Sequence, residues 1–331
     1  MYKVKLSIDV DCLAQTPHRS GCWGNYHFDI NGTDDEYDFW VVYSKGLSKP
    51  EHCRVARENT IFVSGEPESI YHYAHGYVNQ FGKAILCRRD IKHSNIVYNQ
   101  PAQMWFVGRV QDENGIRYQR GYDDYVDSKF PEKTKLISVV SSNKAFTKGH
   151  QKRINFVNQL KEYYGDKIDV FGRGYNGFSD KWDVISPYKY HIVIENSQYE
   201  DYWTEKLADC YLGGAFPLYY GCPNVGEYFG QSCIQCIDIN NFAASVRAID
   251  SAISQDLYSN SLPQLYEARD KVLYQYNLFA MLAAEMDKMN PSAVKQKCSF
   301  KPDISFFDIK KLKVMLLDRL LCKFKKKNIK H

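Results

Sequence analysis

The chain has 331 residues, 44% hydrophobic and 25% charged, with a formal net charge of +4. These values are ordinary for a globular protein, point to two domains, and give no general basic surface for nucleic acid. No run of about 18 apolar residues exists to predict a membrane-spanning helix. The first residues, MYKVKLSIDVDC, read as a strand without a secretory leader, so the ten cysteines are expected to be reduced in a cytosol.

Residues 3–10 alternate and are β-prone, and a polar stretch separates them from a second strand at 39–43, FWVVY. A third strand, TIFVS at 60–64, ends in Gly65-Glu66-Pro67-Glu68. Ile70, Tyr73, Tyr77 and Val78 then fall at helical spacing, which predicts a helix over 68–81, and a fourth strand follows at 84–87. Residues 98–124 have no clear period and read as loops and short strands. Together these elements predict a first α/β domain over residues 1–127.

A polar, proline-bearing boundary at 128–135 opens a second α/β domain, 128–295. It begins with a buried strand at 136–140 and a helix at 149–163. A strand at 168–171 and a helical turn at 182–188 come next. After a strand at 233–239 the chain is helical over 242–289, with breaks near 255 and 262. Cys233 and Cys236 form a C-x-x-C, but a strand places them on opposite faces, against a metal role. Alternation of β and α elements in both halves predicts two doubly wound domains.

The densest stretch is 195–221, ENSQYEDYWTEKLADCYLGGAFPLYYG, flanked by apolar runs that read as buried strands. Thr204 is a suitable N-cap with Glu205 in the first turn, and Leu207, Cys210 and Tyr211 recur at helical spacing. Gly213-Gly214 stops that helix. The unit is βαβ with a right-handed crossover. Ligands of such sheets bind beyond the carboxyl ends of the strands, where Glu195, Asn196, Tyr202, Glu205 and Lys206 stand. A helix start suits a phosphate, Lys206 a diphosphate, and Glu205 sugar hydroxyls. A solvated helix start with a capping acid and a surface lysine is the alternative reading of the same residues.

The run E-N-S, a short spacer, Y-W-T-E-K-L and then G-G-A-F-P-L-Y-Y-G resembles the signature of the α-1,3/1,4-fucosyltransferase family of glycosyltransferases, family 10. That signature is close to F-E-N-S/T, a spacer, Y-V-T-E-K, a small-residue turn and P-V/I-Y-x-G. The likeness is dense over 138–239; Trp203 replaces the usual Val at a position expected to pack. The resemblance implies two facing Rossmann-like domains of the GT-B type, with the donor on the second domain and the acceptor mainly on the first. It implies an inverting transfer of L-fucose from GDP-fucose to a glycan hydroxyl, in cell-surface polysaccharide or lipopolysaccharide synthesis. Another nucleotide sugar as donor, or a non-catalytic nucleotide-sugar-binding module, are the alternatives.

Carried over residue by residue, the resemblance puts Tyr202 and Lys206 on the diphosphate and Glu205 on the ribose. Glu195 and Asn196 match the family's E-N on the donor side, with Glu195 expected to organise the loop or bind the donor sugar. Arg153 takes the place of a family arginine on the diphosphate, with Lys152 as its neighbour and competitor. The family's first-domain glycine-glutamate matches Gly65-Glu66, so Glu66 is the candidate base and Glu68 the reserve; Pro67 departs from the pattern. A diphosphate held this way implies no metal and no cofactor beyond the GDP-sugar donor.

Asp9 and Asp11 form an Asp-x-Asp, the metal element of a different glycosyltransferase architecture, too early in the chain to fit it. His72 and His75, three apart, suit a packed or exposed face better than a metal. Residues 296–331 form a basic tail, in which Leu312, Met315, Leu316, Leu320 and Phe324 fall near one face of a predicted helix over 309–329. An apolar face beside crowded Lys and Arg predicts an amphipathic helix on an anionic membrane. The expected location is therefore cytoplasmic, peripheral to the inner membrane face, with a glycan or lipid-linked glycan acceptor. Packing of that helix on the globular domains is the alternative.

Overall fold

A computed structural model describes residues 1–113, 115–141 and 148–306. The expected basic helix at 309–329 lies outside the described residues. The chain forms two compact units, each discontinuous in sequence. Met1–Val10, Gly24–Asn99 and the chain from Glu285 make the first; Asp11–Trp23 and Gln100–Ala284 make the second. The boundary expected after residue 127 therefore falls inside the second unit. Trp105, Val107 and Tyr125 belong to that unit's core, and this burial draws the segment before residue 127 into it.

The first unit is built on parallel strands in the order Tyr26–Ile30, Tyr2–Ser7, Phe39–Tyr43, Thr60–Val63, Lys83–Leu86, Ile96–Tyr98. Phe39, Trp40, Val41 and Val42 are all buried, as expected for a strand covered on both faces. Returning to this unit, Gln296–Phe300 pairs antiparallel with Glu51–Val55. The helix expected over 68–81 is reduced to His75–Val78. Of the residues that set its spacing, Tyr73 and Tyr77 pack on Phe62 with ring centroids 5.2 and 5.7 Å away, Val78 is buried, and Ile70 is exposed. Core contact at Tyr73, Tyr77 and Val78, not a continuous helix, produced most of that period.

The second unit carries a parallel sheet in the order Ile168–Phe171, Lys135–Val140, Tyr188–Ile194, Phe216–Tyr220, Gln235–Cys236. The helix Lys148–Tyr164 and the short helix Lys181–Ile185 fall where the sequence predicts them. The strand expected over 233–239 contracts to Gln235–Cys236, with Cys233 buried and Cys236 exposed. Helices Phe242–Ser254, Leu257–Asn260 and Leu262–Tyr274 break at the expected places. Both units are thus α/β with a parallel sheet, as expected; strand and helix alternate in the second unit, whereas in the first the only α-helix between described sheet strands is His75–Val78.

Helix Glu205–Leu212 links the central strand, Tyr188–Ile194, to its neighbour Phe216–Tyr220. Seven of its eight residues are buried, because it packs on both strands and on helix Leu262–Tyr274. It ends at Gly213, and Gly214 then adopts φ +68°, a left-handed conformation that favours glycine.

Candidate functional site

Glu195 stands one residue past the strand Tyr188–Ile194, at the carboxyl end of the second unit's sheet. Its N–H donates to the Tyr220 carbonyl at 2.8 Å, which continues the ladder to the neighbouring strand. The residue is 3% exposed, and its carboxylate turns onto the start of the motif helix. The Thr204 N–H donates to Oε1 at 2.8 Å, and the Thr204 hydroxyl lies 3.0 and 2.7 Å from Oε1 and Oε2. Lys206 Nζ reaches Glu195 Oε2 at 3.2 Å, Glu205 Oε1 at 3.1 Å and Thr204 Oγ1 at 3.0 Å. Thr204 also caps the helix by accepting from the Lys206 N–H at 3.4 Å. The residues E, T, E and K of the motif are therefore one hydrogen-bonded cluster.

The charges in the cluster hold one another. Burial works against a charged Lys206, but Glu195 and Glu205 outweigh it and raise its pKa. Burial raises the pKa of Glu195 against the pull of Lys206. Burial pushes Glu205 the same way, but Lys206 and Lys181 together hold it below the usual carboxylate range. Glu205 Oε2 is buried without a hydrogen-bond partner, an acceptor left for a hydroxyl.

On the other side of the loop, Arg153 of helix Lys148–Tyr164 donates to Asn196 Oδ1 at 2.8 Å. Its Nε is buried without a hydrogen-bond partner, and burial lowers the guanidinium pKa. Lys152 instead reaches Asn240 Oδ1 at 2.9 Å. The structure thus joins Arg153, and not Lys152, to the E-N loop. Tyr202 is 1% exposed, a core side chain in this structure and not a surface group. Trp203 packs as expected, edge-on to Tyr228, Phe229 and Tyr276.

Gly221 closes the motif for a steric reason. A Cβ there would come within 2.5 Å of Glu195 Cγ and 2.4 Å of the Tyr219 hydroxyl. An added side chain would force Glu195 or Tyr219 to shift.

Several supporting residues escaped the sequence reading. Asp209, fully buried one turn beyond Glu205, accepts from the Phe106 and Val107 N–H groups at 2.7 and 2.8 Å. Its other oxygen pairs with Lys181 at 2.6 Å. Asp180 accepts from Gly108 and Trp182 N–H, both at 2.8 Å. His191 lies 2.8 Å from Ser138 Oγ, and burial pushes its pKa down to about 3. Lys181, His191, Lys206 and Asp209 also line a cavity of about 80 Å³. An acidic residue on the buried side of an apolar helix was the available signal for Asp209.

In the first unit, Glu66 is half-buried and Glu68 exposed, both just past the strand Thr60–Val63. Asp9 and Asp11 fall in different units, and Asp11 Oδ1 accepts from the Leu13 N–H at 3.2 Å. Among the described residues no group of three or more His, Cys, Asp or Glu is placed to hold a metal. Among the same residues, no helix is long and apolar enough to cross a membrane.

Residues 130–256 match the C-terminal region of glycosyltransferase family 10 (fucosyltransferase), so the resemblance in the sequence holds over that segment. An alpha-(1,3)-fucosyltransferase FucT of Helicobacter pylori is 33% identical over 99 residues, 28% of this chain and 20% of that protein. Alpha-(1,3)-fucosyltransferase 4 of Bos taurus is 37% identical over 83 residues, 24% of this chain and 20% of that protein. The matched stretch therefore spans 20% of the length of each of these curated relatives. A crystal structure of an alpha1,3-fucosyltransferase with GDP-fucose has a TM-score of 0.47 at 17% identity, over 87% of this chain and 89% of that one.

Proposed function

We propose, on the premise that residues 130–256 are a family 10 glycosyltransferase segment, that this protein transfers L-fucose from GDP-fucose to a glycan hydroxyl with inversion. The observation that carries the reading is the cluster of Glu195, Thr204, Glu205 and Lys206, with Arg153 on the adjoining Asn196. It lies inside the matched segment and at the carboxyl ends of parallel strands, where nucleotides bind in such sheets. Lys206 and Arg153 take the diphosphate, Glu205 a ribose hydroxyl through Oε2, and Tyr202 contributes if its ring turns out of the core. Glu195 acts as the residue that organises the loop.

In the reaction, the acceptor oxygen loses its proton to a base and bonds to the anomeric carbon. The bond from that carbon to the diphosphate breaks, and GDP leaves with the electron pair. Lys206, Arg153 and the helix start offset the charge that builds on the diphosphate, which is the term such enzymes most need. Glu66 supplies the base, with Glu68 in reserve. No metal is required in this scheme. The acceptor is a glycan or lipid-linked glycan of the cell surface, and the basic tail holds the protein at the inner face of the membrane.

The test is product analysis with GDP-fucose and a panel of saccharide acceptors, in buffer containing EDTA. Release of GDP together with a fucoside of anomeric configuration opposite to the donor, by NMR, is the expected result. Retention of configuration, or turnover only after Mn²⁺ or Mg²⁺ is restored, would contradict it. Co-sedimentation with anionic liposomes at low salt, for the full chain and one ending at Ser305, tests the tail. Only the full chain should pellet.

A further inference from the structure

The loop that bears Glu66 and Glu68 is held by a residue two positions past the neighbouring strand. Arg88 follows Lys83–Leu86, which pairs in parallel with Thr60–Val63 through Val63 and Ile85. Its side chain is 1% exposed, an unusual position for a guanidinium. Nε and Nη2 make a fork onto the Asp90 carboxylate at 2.6 and 2.7 Å. Nη1 then donates to two main-chain carbonyls, those of Glu66 at 3.2 Å and of Tyr71. The guanidinium carbon also lies 5.3 Å from the centre of the Tyr73 ring.

Other contacts fix the same loop. The Tyr73 hydroxyl accepts from the Gly65 N–H at 3.3 Å and is hydrogen-bonded with Ser44 Oγ at 2.8 Å. The Pro67 carbonyl accepts from Ile70 and Tyr71 N–H at 3.1 and 3.0 Å, and the Tyr71 hydroxyl donates to Asp303. Pro67, the departure from the family pattern, locks φ within this turn. The carbonyl of Glu66 itself is thus bound to Arg88, and both ends of the turn are tied.

Burying the Arg88 guanidinium costs desolvation, and its Asp90 partner stays partly in solvent, with a side chain 18% exposed. A buried guanidinium with two further donors on one loop is explained better by what it orients than by stability. We propose that Arg88 is the positioning residue for the base, fixing the backbone from which the loop's carboxylate works, with Asp90 fixing Arg88. The inference rests on the assignment of the base to this loop.

The test uses Arg88→Met, which keeps the stem and removes every donor, and Arg88→Lys, which keeps the charge and loses the fork. Turnover and GDP affinity are measured in each, with amide hydrogen exchange over residues 65–73. Arg88→Met should lower kcat about 10²-fold, the cost of a displacement on the order of 1 Å, with KM for donor and GDP affinity unchanged. Arg88→Lys should recover part of that loss. Exchange at 65–73 should accelerate in both while the second unit stays protected. A kcat within twofold of wild type, or GDP affinity falling in parallel with kcat, would overturn the proposal. If Glu66→Gln and Glu68→Gln both turn over normally, the base assignment fails; the exchange result then judges the clamp alone, and unchanged protection sinks it. Should Arg88→Met not fold, Asp90→Asn gives the same readouts with shape kept and the counter-charge removed. Unchanged loop exchange in that variant would also overturn the proposal.

Discussion

Each unit places an acidic residue just beyond a parallel strand, and the two residues are held in opposite ways. Glu195 follows Ile194, and its carboxylate is engaged by Thr204 and Lys206 of its own motif. Glu66 follows the strand ending at Val63, and there the carbonyl is engaged, by Arg88 from the adjacent strand. In the second unit the side chain is the scaffold, and the groups it arranges are Lys206 and the helix start. In the first unit the contact with Arg88 fixes the backbone of the loop. The proposed roles, a binding site in one unit and a base in the other, call for this difference. A diphosphate needs cations fixed in advance, whereas a base needs a fixed origin for its carboxylate.

The largest expected effect breaks the presenting side. Glu66→Gln should cut turnover by about 10²–10⁴, the usual contribution of a general base, and leave GDP affinity alone. Normal turnover, measured as GDP release, would move the base to Glu68 or out of the loop.

Next is the scaffolding side. Lys206→Ala should weaken GDP binding by about 1.5–3 kcal/mol, as for hydrogen bonds to a charged group. It also leaves Glu195 buried without its counter-charge, so the urea midpoint should fall as well. Calorimetry and a urea melt together check this; loss of stability without loss of GDP affinity would make Lys206 structural only.

Gly221→Ala is smaller. Its Cβ meets Glu195 Cγ and the Tyr219 hydroxyl, and overpacking of this kind costs about 1–3 kcal/mol. A urea midpoint equal to that of wild type would mean that the carboxylate is not confined there.

The last is a slope with pH, small at any one step of pH. His191 titrates near 6.5 when unfolded and is pushed down to about 3 by burial, with Lys181 adding to the effect. Between those values the unfolded chain binds a proton that the folded one refuses. This contribution to stability is therefore complete above about pH 6.5 and is lost as pH falls towards 3, by at most about 1.4 kcal/mol per pH unit. Urea midpoints from pH 7 to 4 should fall less steeply in His191→Gln; parallel slopes would contradict the assignment.

What the sequence made legible was local. Thr204, Glu205 and Lys206 were readable because an N-cap and a helix period lie within a few residues of each other. Arg153 was proposed from its place, and it is Arg153 and not Lys152 that contacts Asn196. Arg88 was not readable, because its partners are main-chain carbonyls 17 and 22 residues away, which leave no mark in residue type. The helix over 68–81 was misread because Tyr73 and Tyr77 pack on Phe62 at a spacing that mimics a helix. The domain boundary was displaced for a similar reason. Polarity at 128–135 marks a surface segment, while the aromatic residues before it already belong to the second core.

The central claim is that the cluster around Lys206 and Arg153 holds a guanosine diphosphate sugar. Isothermal titration of the full chain with GDP, GDP-fucose, UDP and UDP-glucose, in EDTA, tests it directly, with Arg153→Ala alongside. The account predicts saturable binding of GDP and GDP-fucose without metal, weakened about tenfold or more in Arg153→Ala, and no comparable binding of the uridine nucleotides. Binding of uridine nucleotides in place of guanosine ones, or GDP binding indifferent to Arg153, would contradict it.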